Sequence, residues 1–197
     1  MTAAPAVGLV GKLKAIGIAM LQQALTDWAQ MTGLTVETGD AKVQNLAKRA
    51  QIEATITGAV MLVETKVEGR CEGPYFFVFP NALAAAAVGG LVMLAPGVVE
   101  QKAKTGLDDA DVEAFKELAN LLCGSSNNVL ARLQPGLRLS QGVAHLKVRS
   151  GIPDLKVHIG EIPDGETACI ACSVKVAGQA YTVHQLLPLA LARSMLA

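Results

Sequence analysis

The sequence predicts an α+β fold, in which about three main helices cover an antiparallel sheet meander. The first observation is a long amphipathic helical pattern at residues 107–133. The second is a series of short alternating runs, separated by turn residues, on both sides of that helix. The third is the length of 197 residues, which is enough for one domain with a sizeable core. We therefore expect residues 1–8 to form a flexible tail and residues 9–197 to form a single domain.

The composition excludes several classes of protein. Hydrophobic residues make up 51% of the chain and aromatic residues only 4%, so we expect a core mainly of Ala, Val, Leu and Ile. The 17 basic and 17 acidic side chains balance, and no basic block indicates nucleic-acid binding. The N-terminal residues lack the pattern of a signal peptide, so we expect a cytoplasmic protein.

One uncharged stretch, Gly73–Val99, resembles a membrane span in its hydropathy. It is interrupted by Pro74, Pro80, the Gly89-Gly90 pair and Pro96. These residues predict a buried strand followed by a helix of small residues, and we expect no association with a membrane.

The central helix is predicted at Leu107–Leu133. Asp108 is suited to cap its free N–H groups, and Pro135-Gly136 would end it. Leu107 and Val112 stand where a hydrophobic staple would form around the cap. Its apolar face consists of Val112, Phe115, Ala119, Leu122, Val129 and Leu133.

The opposite face of this helix carries a polar stripe of residues at steps of three or four. Asn is unfavourable in mid-helix because its amide competes for backbone hydrogen bonds, and Gly costs about 1 kcal/mol there relative to Ala. A carboxylate and a carboxamide one turn apart, beside a glycine, could grip a partner and orient a water molecule. The alternative is a solvated helix face with a weak point. The stripe consists of Glu113, Glu117, Asn120, Gly124 and Asn127.

The remaining elements follow from the same patterns. A first helix is predicted at Leu9–Met31 and ends at Gly33, and residues 40–51 are ambiguous between a short helix and a loop. Small apolar residues predict a helix at Asn81–Leu94, followed by a mobile charged connection at residues 97–107. The final residues are expected to form a short helix. Strands are predicted at 34–38, 52–67, 74–79, 137–148, 155–162, 167–176 and 180–187.

No metal site or cofactor of the protein's own is expected. Cys169 and Cys172 form a C-x-x-C motif within an alternating run, where residues three apart point to opposite faces of a strand. Buried free thiols are therefore favoured over a shared metal. The histidines lack helical ligand spacing and acidic partners; they are His145, His158 and His184.

The run Glu117-Leu-Ala-Asn120-Leu-Leu-Cys-Gly124 resembles the signature of the chemotaxis phosphatase family CheC/CheX/FliY, and CheX most closely. That signature is a Glu, two residues, an Asn and a glycine shortly after. The surrounding order of elements also resembles the family, over about residues 12–187. It comprises the first helix, the Gly73-Pro-Tyr-Phe-Phe-Val-Phe-Pro-Asn segment, the small-residue helix and the acidic start of the central helix.

The resemblance implies a CheC/CheX-like fold and dephosphorylation of a CheY-like response regulator. Glu117 would pair with the regulator's active-site lysine, and Asn120 would position the water that attacks the phospho-aspartate. The regulator would hold the Mg²⁺ ion. Glu113, Gly124 and Asn127 are expected to contribute to partner binding. The resemblance also implies a homodimer.

Three departures from the family pattern bear on activity. Glu113 stands where the CheC-like motif has Asp or Ser. The proline expected about twenty-two residues after Asn120 is absent from Gln141-Gly142-Val143. The first helix has Asp27 and Gln30 in place of Glu and Asn, so a second active site is not expected. The alternative to a phosphatase is therefore a non-catalytic module of the same fold, which docks on a response regulator or a flagellar-switch protein.

Overall fold

The computed structural model describes residues 7–46, 49–142, 146–151 and 165–197. Within these ranges the chain forms helices and one sheet. The helices are α1 (Val7–Thr32), α2 (Arg49–Thr55), α3 (Asn81–Leu91), α4 (Pro96–Thr105), α5 (Asp109–Leu133) and α6 (Leu189–Leu196). The strands are β1 (Val36–Leu46), β2 (Val60–Gly69), β3 (Gly73–Pro80), β4 (Leu137–Leu139), β5 (Lys147–Gly151), β6 (Thr167–Val176) and β7 (Gln179–Pro188).

The strands are hydrogen-bonded in the order β1-β6-β7-β3-β2-β4, and the pairings in the described ranges are antiparallel. β5 pairs with β2 as well, so β2 has β4 and β5 along the edge opposite β3. β4 lies beside the end of β2 at Val67–Gly69, and β5 lies beside its start at Val60–Glu64. The predicted α+β class and antiparallel sheet are confirmed.

The main core lies between one face of the sheet and the helices α1, α3 and α5. Trp28 of α1 lies at its centre, with its ring centroid 5.2 Å from that of Phe79 and 5.6 Å from that of Phe115. The indole Nε1 donates a hydrogen bond to the carbonyl oxygen of Leu118 at 2.9 Å. A single side chain therefore connects α1, β3 and α5, which fixes the orientation of α5 against the sheet.

A polar side chain lies within this core. Gln185 of β7 is fully buried, and its Oε1 accepts a hydrogen bond from the Tyr75 hydroxyl at 2.7 Å. Its Nε2 donates to the carbonyl oxygen of Gly17 at 2.9 Å. These bonds join α1 to two strands, and they satisfy polar atoms that would otherwise be buried without partners.

The second face of the sheet carries a smaller apolar cluster, which α2 covers. Ile52 and Ile56, four residues apart, are both buried there. The strand predicted at 52–67 is therefore wrong over its first residues, which belong to α2, and is confirmed from Val60 onward as β2. The β-branched residues favour a strand locally, but burying both isoleucines from one helical turn overrides that preference. Gly58, at φ +82°, lies in the turn before β2 begins at Val60.

The mobile connection predicted at residues 97–107 is also wrong, because helix α4 begins at Pro96. Proline suits the first position of a helix, where no N–H is needed, so Pro96 begins a helix here. The Asn81 Nδ2 donates to the carbonyl oxygens of Lys102 and the following residue, at 3.1 Å each. The Lys102 ammonium donates to Asp108 at 2.8 Å. These contacts order α4 between α3 and α5.

Most other predicted elements are confirmed with shifted boundaries. Gly33 ends α1 at φ +69°, and the strand predicted from residue 34 is confirmed as β1. The short helix or loop expected at residues 40–51 is wrong as far as Leu46, because β1 continues to that residue in its pairing with β6. The run predicted at 137–148 is divided into β4 and β5. The predicted strand at 155–162 lies outside the described residues.

The cysteines are free thiols, as predicted, and Cys169 and Cys172 belong to the clusters on opposite faces of the sheet. Burial raises the pKa of Cys169 to about 12 and that of Cys172 to about 11. Neither thiol is therefore a ready nucleophile at neutral pH. Across the described ranges, no helix combines the length and the apolar character that a membrane crossing needs.

Candidate functional site

The site is built on α5, whose first turn is closed by a capping box. The Asp108 carboxylate accepts a hydrogen bond from the N–H of Asp111 at 3.0 Å, and the Asp111 carboxylate accepts one from the N–H of Asp108 at 3.0 Å. The hydrogen bond from Lys102, followed by that from the Asp111 backbone, lowers the pKa of Asp108 to about 2. The cap fixes where α5 begins, and the buried Phe115 and Leu122 fix which face turns inward.

Glu117 and Asn120 lie one turn apart on the outer part of α5. Glu117 is exposed, and among the described residues it has no hydrogen bond or ion pair. Asn120 is half-buried, and its Oδ1 accepts a hydrogen bond from the backbone N–H of Gly142 at 2.9 Å. The exposed Glu113, one turn before Glu117, forms an ion pair with Lys116. The helix thus presents one unpaired carboxylate beside one oriented carboxamide.

The chain lies against this face of α5 at residues 139–142, which we call the 139–142 segment. Asn127 bonds both backbone groups of Leu139: its Nδ2 donates to the carbonyl oxygen at 2.9 Å, and its Oδ1 accepts from the N–H at 2.6 Å. The segment is also bonded to β2. The Ser140 N–H donates to the Lys66 carbonyl at 2.8 Å, and the Thr65 hydroxyl donates to the Ser140 carbonyl at 3.0 Å.

Gly124 leaves room beside the helix for the side chain of Gln141. A Cβ atom built on Gly124 would be 2.5 Å from the Nε2 of Gln141, closer than such contacts occur. Any other residue at this position would therefore displace the Gln141 side chain. The space left by the missing side chain is occupied by the amide of Gln141, the flexible end of an exposed side chain.

A polar cavity of about 310 Å³ lies beside the segment. Glu68 lies in its wall, where it accepts hydrogen bonds from the Ser140 hydroxyl and, at 3.1 Å, from Arg138 Nε. The Ser140 hydrogen bond, and to a smaller extent Arg138, hold the pKa of Glu68 below its usual range. The cavity is lined by Glu68, Asn127, Arg138, Leu139, Ser140 and Gln141.

The structure divides the predicted stripe into two parts. Asn120, Gly124 and Asn127 contact the 139–142 segment of the chain itself. Glu113 and Glu117 face solvent. Contact of these five residues with a partner stays a prediction. The sequence reasoning missed Gly142 as a neighbour of Asn120, and the missing proline at this position was the one signal that pointed to it.

The corresponding part of α1 has a different arrangement. Asp27 accepts hydrogen bonds from the Ser125 hydroxyl of α5 and, at 3.1 Å, from Gln23 Nε2. The Asp27 carboxylate therefore joins α1 to α5, whereas Glu117 is unengaged. Among the residues that the structure describes, no three His, Cys, Asp or Glu side chains are grouped so that they could hold a metal ion.

Comparison with known proteins identifies the fold. The chain matches no protein-family model, and no curated protein matches it significantly in sequence. Among solved structures, FliY of Thermotoga maritima matches with a TM-score of 0.76 at 18% identity, over 100% of this chain and 96% of that chain. The FliM middle domain of H. pylori matches with a TM-score of 0.71 at 6% identity, over 98% of each chain.

CheX of Desulfovibrio desulfuricans matches with a TM-score of 0.54 at 16% identity, over 88% of this chain and 99% of that chain. H. pylori complexes of FliM with FliG and with SpeE match as well. The chain therefore has the fold of the CheC/CheX/FliY proteins. That it is closest to CheX, as the sequence suggested, is not confirmed.

Proposed function

We propose that this chain, with its CheC/CheX/FliY fold, accelerates hydrolysis of the aspartyl phosphate of a CheY-like response regulator, in chemotaxis or a related two-component pathway. The observation that carries the proposal is the pair on α5. Glu117 offers an exposed, unpaired carboxylate, and Asn120 offers a carboxamide in a fixed orientation one turn away. The match to solved chemotaxis proteins supports this role through the fold.

Glu117 would orient the regulator. An exposed carboxylate can pair with the lysine of a regulator's active site when the two proteins meet. Such a pair contributes little on an open surface, about 0–1 kcal/mol, but it becomes more directional when the interface excludes water. Because Glu117 has no described partner within its own chain, no internal bond must break before it engages the lysine.

Asn120 would place the attacking water. Its carboxamide keeps two Nδ2 hydrogens and one Oδ1 lone pair after the Gly142 bond is made, so it can still hold a water molecule. The water oxygen attacks phosphorus, the bond from phosphorus to the aspartyl oxygen breaks, and inorganic phosphate and a free carboxylate form. A carboxylate is a good leaving group, so the reaction needs positioning more than a strong base.

The metal in this reaction belongs to the regulator. Mg²⁺ held by the regulator would neutralise charge on the phosphoryl oxygens. The proposed role of this chain is confined to one ion pair and one oriented water molecule.

A second candidate function is non-catalytic docking, as a module in a flagellar-switch or signalling assembly. Two observations favour it. The fold matches the FliM middle domain at a higher TM-score than it matches CheX, and FliM has been crystallised in complex with FliG. In addition, the Asn120 oxygen is already bonded to Gly142, and both the nitrogen and the oxygen of the Asn127 amide are bonded to Leu139.

The experiment is to measure phosphate release from a Mg²⁺-loaded CheY-like regulator charged with acetyl phosphate. Wild type, Glu117→Ala and Asn120→Ala are compared, with Asn128→Ala and Glu100→Ala as controls because both are exposed helix residues away from the pair. Loss of the water-positioning contact should slow the accelerated rate by about 10²-fold. The control variants should keep the wild-type rate.

Binding separates the two candidate functions. If wild type binds the charged regulator but does not accelerate release, the chain is a docking module and the phosphatase proposal fails. If wild type accelerates release and Asn120→Ala binds but does not, the phosphatase proposal stands. Equal rates for Asn120→Ala and Asn128→Ala would exclude Asn120 from catalysis.

A further inference from the structure

The backbone N–H of Gly142 makes the one described hydrogen bond to the Asn120 side chain. We infer that this N–H is a positioning group, which sets the orientation of the Asn120 carboxamide for the attacking water. The inference rests on the proposed phosphatase function. It assigns a role in that reaction to a residue without a side chain, outside the Glu-x-x-Asn motif.

The hydrogen bond fixes which way the amide points. The terminal torsion of an asparagine side chain is broad, so an unrestrained amide would sample many orientations. The Gly142 nitrogen lies 2.9 Å from Oδ1. Turning the amide by half a turn would place its NH₂ group against the Gly142 N–H, two donors facing each other, so one orientation is favoured. The Nδ2 hydrogens are then the groups free to face a partner.

The Gly142 N–H is held in place independently of Asn120. Two hydrogen bonds with Asn127 hold Leu139, and two hydrogen bonds to β2 hold Ser140. The chain is therefore attached to both α5 and the sheet two residues before the donor, which restricts the position of the Gly142 N–H before a regulator binds.

Glycine at this position has a backbone reason. Residue 142 has φ +102°, in the region that residues with a side chain rarely adopt. Proline, with φ near −65° and no N–H, could neither adopt this conformation nor donate the bond. The position where a proline was expected thus carries a backbone N–H donor. Glycine at this position orients Asn120 through a hydrogen bond that proline could not make.

The test removes this N–H and changes little else. Semisynthesis can replace Gly142 by glycolic acid, which exchanges the N–H for an ester oxygen and adds no side chain at φ +102°. We expect the kcat for phosphate release to fall about three- to tenfold, the range for one hydrogen bond, with the KM for the charged regulator unchanged. Glycolic acid at Gly58, an exposed glycine at φ +82° whose N–H has no described bond, is the matched control.

A second readout does not depend on activity. In ¹⁵N-labelled protein the Asn120 side-chain NH₂ signals should move toward the values of an unrestrained amide in the Gly142 ester, and stay unchanged in the Gly58 ester. If the Gly142 ester loses binding to the regulator while kcat is unchanged, the Gly142 N–H supports the docking surface and not the orientation of Asn120. That result would overturn the inference. Unchanged kcat in the ester variant, with Asn120→Ala inactive, would overturn the inference and leave the proposed function standing. If wild type does not accelerate release, both fail.

Discussion

At the scale of single residues, Asn127 has a structural role that its position in the polar stripe of α5 did not predict. Its carboxamide makes two hydrogen bonds with the backbone of Leu139, as a neighbouring strand would. The side chain thereby fastens the 139–142 segment to α5. Its neighbour Asn128 is exposed on the same helix, which gives a closely matched comparison.

We predict that Asn127→Ala destabilises the protein by about 1–3 kcal/mol, because both backbone groups of the buried Leu139 lose their partner. Asn128→Ala should lie within about 0.5 kcal/mol of wild type. Urea unfolding of the two variants measures the difference. Equal stabilities would mean that water replaces the Asn127 bonds at no cost and that the segment is not fastened by this residue.

His184 predicts a pH dependence of stability. It lies on β7 beside Val78, in a cavity wall formed with Ile56 and Thr182 and without a charged side chain, and burial lowers its pKa below the usual value. The unfolded chain therefore binds a proton more readily than the folded protein does. The stability that the neutral ring contributes is complete above about pH 6.5 and is lost as the pH falls below that value.

Replacing His184 by Gln removes this titration. We expect the free energy of unfolding of wild type to fall more steeply than that of His184→Gln between about pH 7 and pH 5. Urea unfolding at several pH values measures both slopes. Parallel curves for the two proteins would contradict a lowered pKa of His184 in the folded state.

At the scale of elements, the patterns predicted the long helices well and the short connections poorly. α1 and α5 were predicted from the spacing of their apolar residues and from residues suited to helix ends, because the apolar spacing repeats over several turns. α2 was missed because two β-branched isoleucines favour a strand locally, and their shared burial is visible only once the sheet exists. α4 was missed because its order depends on Asn81 and Asp108, which belong to other elements.

The buried hydrogen bond between Tyr75 of β3 and Gln185 of β7 can be tested by a double-mutant cycle. Gln185→Leu should cost about 1–3 kcal/mol, since the buried Tyr75 hydroxyl loses its acceptor. In a Tyr75→Phe background, that hydroxyl is absent, so the same substitution should cost less. Thermal or urea unfolding of the four proteins gives the coupling. Equal costs in both backgrounds would show that this hydrogen bond does not contribute to stability.

At the scale of the whole molecule, the sequence predicted the fold class and the two residues of the proposed site. It did not predict the surroundings of that site. The Glu-x-x-Asn spacing places both side chains on one helix face, which follows from helical geometry alone. The approach of Gly142 to Asn120 joins residues 22 positions apart, and it depends on the register of β4 against β2. The pattern of residues in a single sequence does not show how one strand is aligned with another, so this contact could not be predicted.

The predicted homodimer and the regulator contact are also matters of the whole molecule. Both follow from the family resemblance, and both stay predictions.

The measurement that tests the central claim most directly is the single-turnover decay of the phosphorylated regulator at saturating protein, with Asn120→Ala against Asn128→Ala. Saturation removes differences in binding, so the rate reports the hydrolysis step alone. We expect the phosphorylated regulator to decay at the wild-type rate with Asn128→Ala and about 10²-fold more slowly with Asn120→Ala. If the regulator decays at its spontaneous rate in the presence of saturating wild type, the chain is not a phosphatase, and the alternative is a docking module with the same fold.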